Sequence, residues 1–131
     1  MIKNLGAEWC DFTIGDFHGA PSYITNVPVD LLDAFVQYYK NGEGFAWFDE
    51  EGDGFSLIFT PYATYVLEEK DTEILHKISV PVVELAKELI EDIESDIDKW
   101  AYFYCGYDDI DSIEENKEII LSYIYMLKRY I

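Results

Sequence analysis

The chain has 131 residues, of which half are apolar and 17% are aromatic. This length favours one domain over residues 1–131, and disordered chains are poorer in aromatic residues. With 27 acidic and 9 basic side chains, the formal net charge is −18. That charge argues against direct binding to nucleic acid or an anionic membrane surface, because both require Lys and Arg. It favours a cationic partner, a metal or simple solubility.

No segment approaches the roughly 18 consecutive apolar residues of a membrane-spanning helix. Residues 1–8 lack the apolar core of a signal peptide. Cys10 and Cys105 are far apart in sequence, and we expect both to be reduced, buried thiols. These features predict a cytoplasmic protein.

Alternation near the N-terminus predicts a strand over residues 8–14, with Cys10, Phe12 and Ile14 on one side. Residues 16–21, which include His18, Gly19 and Pro21, are expected to form a loop. A helix is then expected to begin near Pro28 and to end at Asn41 and Gly42, with the glycine in the left-handed conformation.

Residues 44–60 predict two aromatic strands joined by an acidic turn, in which Gly52 and Gly54 supply backbone angles that other residues resist. Phe55, Leu57 and Phe59 alternate with Ser56 and Thr60, which predicts a sheet with one buried face and one solvated face that carries Ser56 and Thr60. The pattern of this hairpin indicates the fold of the chain, and it contains no catalytic motif.

Strands predicted at residues 63–68 and 74–79 extend the hairpin to a four-stranded meander. The pairing must be antiparallel, because connections this short cannot form the crossover that parallel strands need. The strand over residues 8–14 is a possible fifth member of the sheet.

From Val80 onward the apolar period is 3.6 residues, which predicts one helix to about Phe103. A final helix is expected over residues 113–131, because Ser112 and Glu115 have capping-box spacing. The predicted fold class is therefore α+β: an antiparallel four- to five-stranded sheet packed against a short helix and two long C-terminal helices.

The residue types that serve catalysis and metal binding lack recognisable spacing. Residues 49–54 resemble the start of a calcium loop, but Thr60 stands where a bidentate Glu is required. Asp16 could orient His18 as a base, yet no nucleophile motif accompanies them. We expect no catalytic residues, no metal and no cofactor. An enzyme that uses carboxylates and His18 is the last-ranked alternative.

Thirteen of the 27 acidic residues lie between Glu84 and Glu118. These acidic residues either form a solvated helix face or recruit a basic protein. The second alternative is physically reasonable because electrostatic steering raises association rates by roughly 10 to 10³. Tyrosines beside carboxylates are also typical of interface hot spots. The hairpin group of candidate contacts is Asp49, Glu50, Glu51 and Asp53. The helical group is Glu91, Glu94, Asp98, Tyr104, Tyr107, Asp108, Asp109 and Asp111.

Residues 27–32 (VPVDLL) open a short helix, and residues 44–52 (GFAWFDEEG) precede a meander. In this layout the chain resembles the immunity proteins of bacterial polymorphic-toxin and contact-dependent growth inhibition systems. The resemblance implies that it binds a cognate toxin domain, often a basic nuclease, and blocks its active site. Contact residues vary in those families, so none is carried over. An acidic DNA mimic that occupies a nucleic-acid-binding protein is the alternative, and the oligomeric state is left open.

Overall fold

The computed structural model describes residues 1–105 and 110–131, and within them the chain forms two antiparallel sheets and four helices. The strands are β1 (Ile2–Lys3), β2 (Asp11–Ile14), β3 (Phe17–Gly19), β4 (Gly44–Asp49), β5 (Gly54–Phe59), β6 (Thr64–Glu69) and β7 (Glu73–Ile78). The helices are α1 (Val27–Asn41), α2 (Val82–Glu94), α3 (Ile97–Cys105) and α4 (Ile110–Lys128). The predicted α+β class is confirmed.

The four-stranded meander is also confirmed, in the order β4-β5-β6-β7. In the turn after β4, Glu51 and Gly52 have φ values of 55° and 111°, as predicted for Gly52. The prediction of a special backbone angle at Gly54 is wrong. A Cβ there would lie 2.8 Å from Nε1 of Trp47, so this position needs glycine because the indole packs closely over it.

The N-terminal strands do not join the meander. Instead β1, β2 and β3 form a separate antiparallel sheet in that order, and β3 lies within the segment predicted as a loop. The strand predicted over residues 8–14 is shortened at its start, where the Gly6 amide donates to the Trp9 carbonyl in a turn. The Phe12 ring lies 5.0 Å from that of Phe55, so the small sheet covers one end of the meander.

Helix α1 covers the other end of the same sheet face. It ends at Gly42, whose φ is 82° and whose amide donates to the Tyr38 carbonyl, as predicted. The Phe35 and Phe59 rings lie 4.7 Å apart. A Cβ on Gly44 of β4 would collide with a backbone carbonyl of α1, which shows how closely helix and strand approach.

The single helix predicted for residues 80–103 is two helices, α2 and α3. At the break, Ser95 Oγ donates to the Asp92 carbonyl at 2.7 Å, and the Asp96 amide donates to the Ile93 carbonyl, three residues back. Local bonds of this kind compete with the regular helical pattern. Apolar periodicity continues through the break and therefore did not reveal it.

Helix α4 begins at Ile110, two residues before the capping box predicted at Ser112. It contacts both α1 and α3, with Ile120, Ile124 and Leu127 buried. The buried apolar side chains of the meander, the small sheet and the helices form one continuous core. All of this core lies on one side of the meander.

Candidate functional site

The turns of the two hairpins lie at the same end of the meander. At this end, Asp49 of β4 pairs with Gly54 of β5, Gly54 pairs with Glu69 of β6, and Glu69 pairs with Glu73 of β7. We call residues 49–54 and 69–73 the tip edge. It carries seven acidic side chains and one basic side chain, Lys70.

Two members of the hairpin group are engaged within the protein. Ser22 Oγ and the Glu51 amide donate to Oδ2 of Asp49, each at 3.0 Å. The Ala20 amide donates to Oε2 of Glu50 at 2.9 Å, and the buried Oε1 has no hydrogen-bond partner among the described residues. Both carboxylates therefore tie the segment after β3 to the turn, and the buried Oε1 of Glu50 is not accessible to a partner.

The other two members, Glu51 and Asp53, point into solvent. Within residues 1–105 and 110–131, neither carboxylate makes a hydrogen bond or an ion pair. Lys70 Nζ lies 3.2 Å from Glu68 Oε2. Its pKa is raised chiefly by that hydrogen bond, with smaller contributions from Glu50 and Asp53. Because one lysine cannot neutralise seven acidic side chains, the tip edge remains strongly negative.

Beside the tip edge, the outer face of the meander is apolar and open. Its side chains are Phe45, Trp47, Ser56, Ile58, Tyr65, Leu67, Leu75 and Lys77. Phe45 is 61% exposed, Trp47 42% and Leu75 59%, whereas α1 and the small sheet pack on the opposite face. The face that was predicted to be solvated is therefore apolar. Ser56, which was expected to be exposed to solvent, is buried between Trp47 and Leu67.

Two open hollows adjoin this outer face. One, of about 330 Å³, is lined by Trp47, Asp49, Gly52, Asp53, Gly54 and Glu69. The other, of about 530 Å³, is lined by Gln37, Glu43, Gly44, Phe45, Ile58, Phe59 and Thr60. The first combines an indole wall with carboxylates, a combination that attracts a Lys or Arg side chain.

In the helical group, two carboxylates are paired with lysines. Lys128 Nζ donates to Glu94 Oε2 at 2.9 Å, and Lys117 Nζ lies 2.8 Å from Asp98 Oδ1. These pairs join α2 and α3 to α4. They show that part of the negative charge on this side is balanced within the chain.

The remaining helical candidates are dispersed. Glu91 lines a groove of about 470 Å³ between α2 and α4, Tyr104 is 45% exposed on α3, and Asp111 is exposed in the first turn of α4. The structure does not join them into one patch. Tyr107, Asp108 and Asp109 lie outside the described residues.

The histidines form pairs other than the predicted one. His18 Nε2 lies 3.3 Å from Asp11 Oδ1 across the small sheet, where the sequence suggested Asp16. His76 Nε2 lies 3.0 Å from Glu68 Oε1, and this hydrogen bond is the main cause of a lowered pKa of Glu68. Each histidine is thus held by a carboxylate on a neighbouring strand.

Burial raises the pKa of the Cys10 thiol to about 12, which leaves it protonated and a poor nucleophile at neutral pH. Among the described residues, no three His, Cys, Asp or Glu side chains are grouped so as to hold a metal ion.

Sequence reasoning missed a partly buried carboxylate pair on α1. Burial, with a smaller effect from Asp33, raises the pKa of Asp30 to about 6. Asp33 Oδ1 accepts a hydrogen bond from the Tyr123 hydroxyl of α4 at 3.2 Å. The i, i+3 spacing of the two acids was a readable sign that they share a helix face, although their burial against α4 was not.

No protein-family model matches the chain, and neither a curated protein nor a solved structure is significantly similar to it. Of the helices in the described parts of the chain, none is both long and apolar enough to cross a membrane. A functional proposal therefore depends on the chemistry of the surface.

Proposed function

We propose that this chain is an immunity protein that binds a cognate, cationic, nuclease-like toxin domain in the cytoplasm and neutralises it. The observation that carries the proposal is the tip edge, with its seven acidic side chains and one lysine, next to exposed Trp47 and followed along the outer face by exposed Phe45. Aromatic anchors beside charged groups are characteristic of interface hot spots.

Charge pairing, together with the dispersal of the helical candidates, favours Glu51 and Asp53 of the hairpin group as the contact surface. Glu94 and Asp98 already have lysine partners within the chain, whereas Glu51 and Asp53 have none among the described residues. Unpaired carboxylates gain most from an external Lys or Arg, because they lose no internal partner on binding.

A nuclease must hold phosphates with cationic groups, and a carboxylate-rich surface can compete for the same groups. Long-range attraction would accelerate encounter. Carboxylates that become desolvated against Arg or Lys would then cost about 2–5 kcal/mol of binding free energy when truncated, whereas those at the rim would change mainly the association rate.

The alternative is an acidic mimic of DNA. It is favoured by the exposed carboxylates of Glu84, Glu88 and Glu91, which follow one another along α2 at spacings of three and four residues. The lysines that pair with Glu94 and Asp98 interrupt any continuation of that row, and we rank this function second.

The test is affinity capture of the tagged protein from a nuclease-treated lysate of its own organism across a salt series. We expect one basic partner in one-to-one ratio that is retained at high salt. Expressed alone, that partner should arrest growth, and co-expression of this chain should relieve the arrest. Several DNA-binding proteins lost together as salt rises would support the mimic, and a partner that is harmless when expressed alone would contradict the immunity function.

A further inference from the structure

We infer that the partner docks on the outer face of the meander, with an apolar patch over Trp47, Leu67 and Leu75 and a Lys or Arg side chain in the hollow at the tip edge. The inference rests on the proposed function in one respect, namely that the partner is a protein with a cationic surface. It adds the face that the partner contacts and the chemistry it must present.

The outer face is continuous across all four strands. Register aligns Trp47, Ser56, Leu67 and Leu75 in one row, and Phe45, Ile58, Tyr65 and Lys77 in the next. At about 4.8 Å between strands and 3.3 Å per residue, these two rows cover roughly 250 Å² of sheet. Apolar patches of this size on a monomer commonly mark interaction sites.

Charge decides which occupant fits this face. Asp53, Glu69 and Glu73 border it at the tip edge, and Lys77 is the one basic side chain in its rows. A second copy of the chain brings a further net charge of −18, so self-association meets strong repulsion. Nucleic acid is repelled for the same reason. A protein with an apolar centre and basic residues on one border is complementary.

The hollow at the tip edge gives the cation a defined place. Because Gly54 has no side chain, the Trp47 indole lies across β5 and forms one wall. Asp53 and Glu69 contribute carboxylates to the same hollow of about 330 Å³. A planar guanidinium can stack on an indole while its N–H groups bond to carboxylates, so arginine suits the hollow better than lysine.

The first experiment uses the full chain and a defined probe, the peptide Ac-RWRLR-NH2, in an NMR titration. We expect shifts at the Trp47 indole N–H and at the amides of Leu67 and Leu75, with none on α4. The control peptide Ac-EWELE-NH2 should produce no shifts. Shifts centred on the groove between α2 and α4, or no site-specific shifts at millimolar peptide, would overturn the docking face.

A matched pair of variants gives a second measurement. Leu75→Lys should weaken peptide binding at least tenfold. Leu121→Lys adds the same charge at an exposed leucine of α4, 44% exposed against 59% for Leu75, and should change binding less than twofold. Equal effects would show that only net charge matters and would overturn the inference. Dimers that light scattering detects in the wild type and that Leu75→Lys abolishes would assign the face to a second copy.

The outcomes for this face and for the immunity function are separable. A captured toxin that Leu75→Lys still binds and neutralises as well as the wild type would refute the docking face and leave the immunity function intact. A partner that Leu75→Lys fails to bind, but that does not arrest growth when expressed alone, would support the docking face and refute the immunity function.

Discussion

The two sides of the meander use similar residues in opposite ways. On the covered side, Phe55 is fully buried against aromatic neighbours, and Glu94 and Asp98 are paired with lysines of α4. On the open side, Phe45 is 61% exposed, and Asp53 has no ion pair among the described residues. These groups of the covered side are packed or paired within the chain, and those of the open side are not.

This difference shows why the net charge alone does not locate a binding surface. A charge of −18 opposes folding by self-repulsion wherever the acids lie. An acidic side chain that is paired within the chain contributes to the fold, whereas an exposed acidic side chain without an internal partner is a candidate contact for another molecule. The same reasoning applies to apolar groups, because an exposed aromatic row contributes little to stability.

The largest contrast is expected from Phe→Ala substitutions on the two sides. Phe55→Ala should lower the free energy of unfolding by about 3–5 kcal/mol, because it leaves a cavity next to Phe12, Phe17 and Phe48. Phe45→Ala should cost less than about 1 kcal/mol. Urea unfolding of both variants measures this, and equal losses would mean that the outer face is also part of the core.

A glycine pair gives the next contrast. Gly44→Ala on the covered side should cost about 3 kcal/mol, since its Cβ would meet the carbonyl oxygen of Ala34 in α1 and neither backbone can move freely. Gly54→Ala on the open side would place its Cβ 2.8 Å from the indole of Trp47, which can rotate away, and 3.1 Å from the Phe48 carbonyl oxygen, and it should cost about 1 kcal/mol. Thermal unfolding gives both values. Tryptophan fluorescence should change for Gly54→Ala alone, and an unchanged spectrum would contradict the proposed position of the indole.

Much of the meander could be predicted because its turns are short and its strands alternate. The small sheet could not, since β1 and β3 have only two and three residues and depend on long-range pairing for their existence. The break between α2 and α3 was hidden because Ser95 and Asp96 occur within an unbroken apolar period.

The candidate site was predicted only in part. Asp49, Glu50, Glu51 and Asp53 were recognised together, but sequence spacing cannot reveal that Asp49 and Glu50 bond to the segment after β3. The exposed apolar outer face was not predicted. When a strand has apolar residues on both of its faces, the sequence does not indicate which face the rest of the chain covers. Phe45 and Trp47, alternating with Ala46 and Phe48, were the available sign.

A partly buried acid on the covered side should respond to pH. The pKa of Asp30 is raised to about 6, above its unfolded value, so its contribution to stability is present at low pH and is lost as pH rises through about 6. Asp30→Asn should therefore stabilise the protein by about 1–2 kcal/mol near pH 8, after allowance for solvent screening, and by almost nothing near pH 4. Urea unfolding at both pH values tests this. A gain that is equal at both values would exclude titration of Asp30 as its cause.

The smallest effects come from single exposed carboxylates, and here the two sides should differ in sign. Glu94→Gln removes the pair with Lys128 and should cost about 0.5 kcal/mol, with the loss reduced in high salt. Asp53→Asn removes a charge from the tip edge and should raise stability by a few tenths of a kcal/mol. Denaturant midpoints at low and high salt measure both changes. A loss at Asp53 as large as that at Glu94 would show that the tip edge supports the fold, and its acids would then need no partner to explain them.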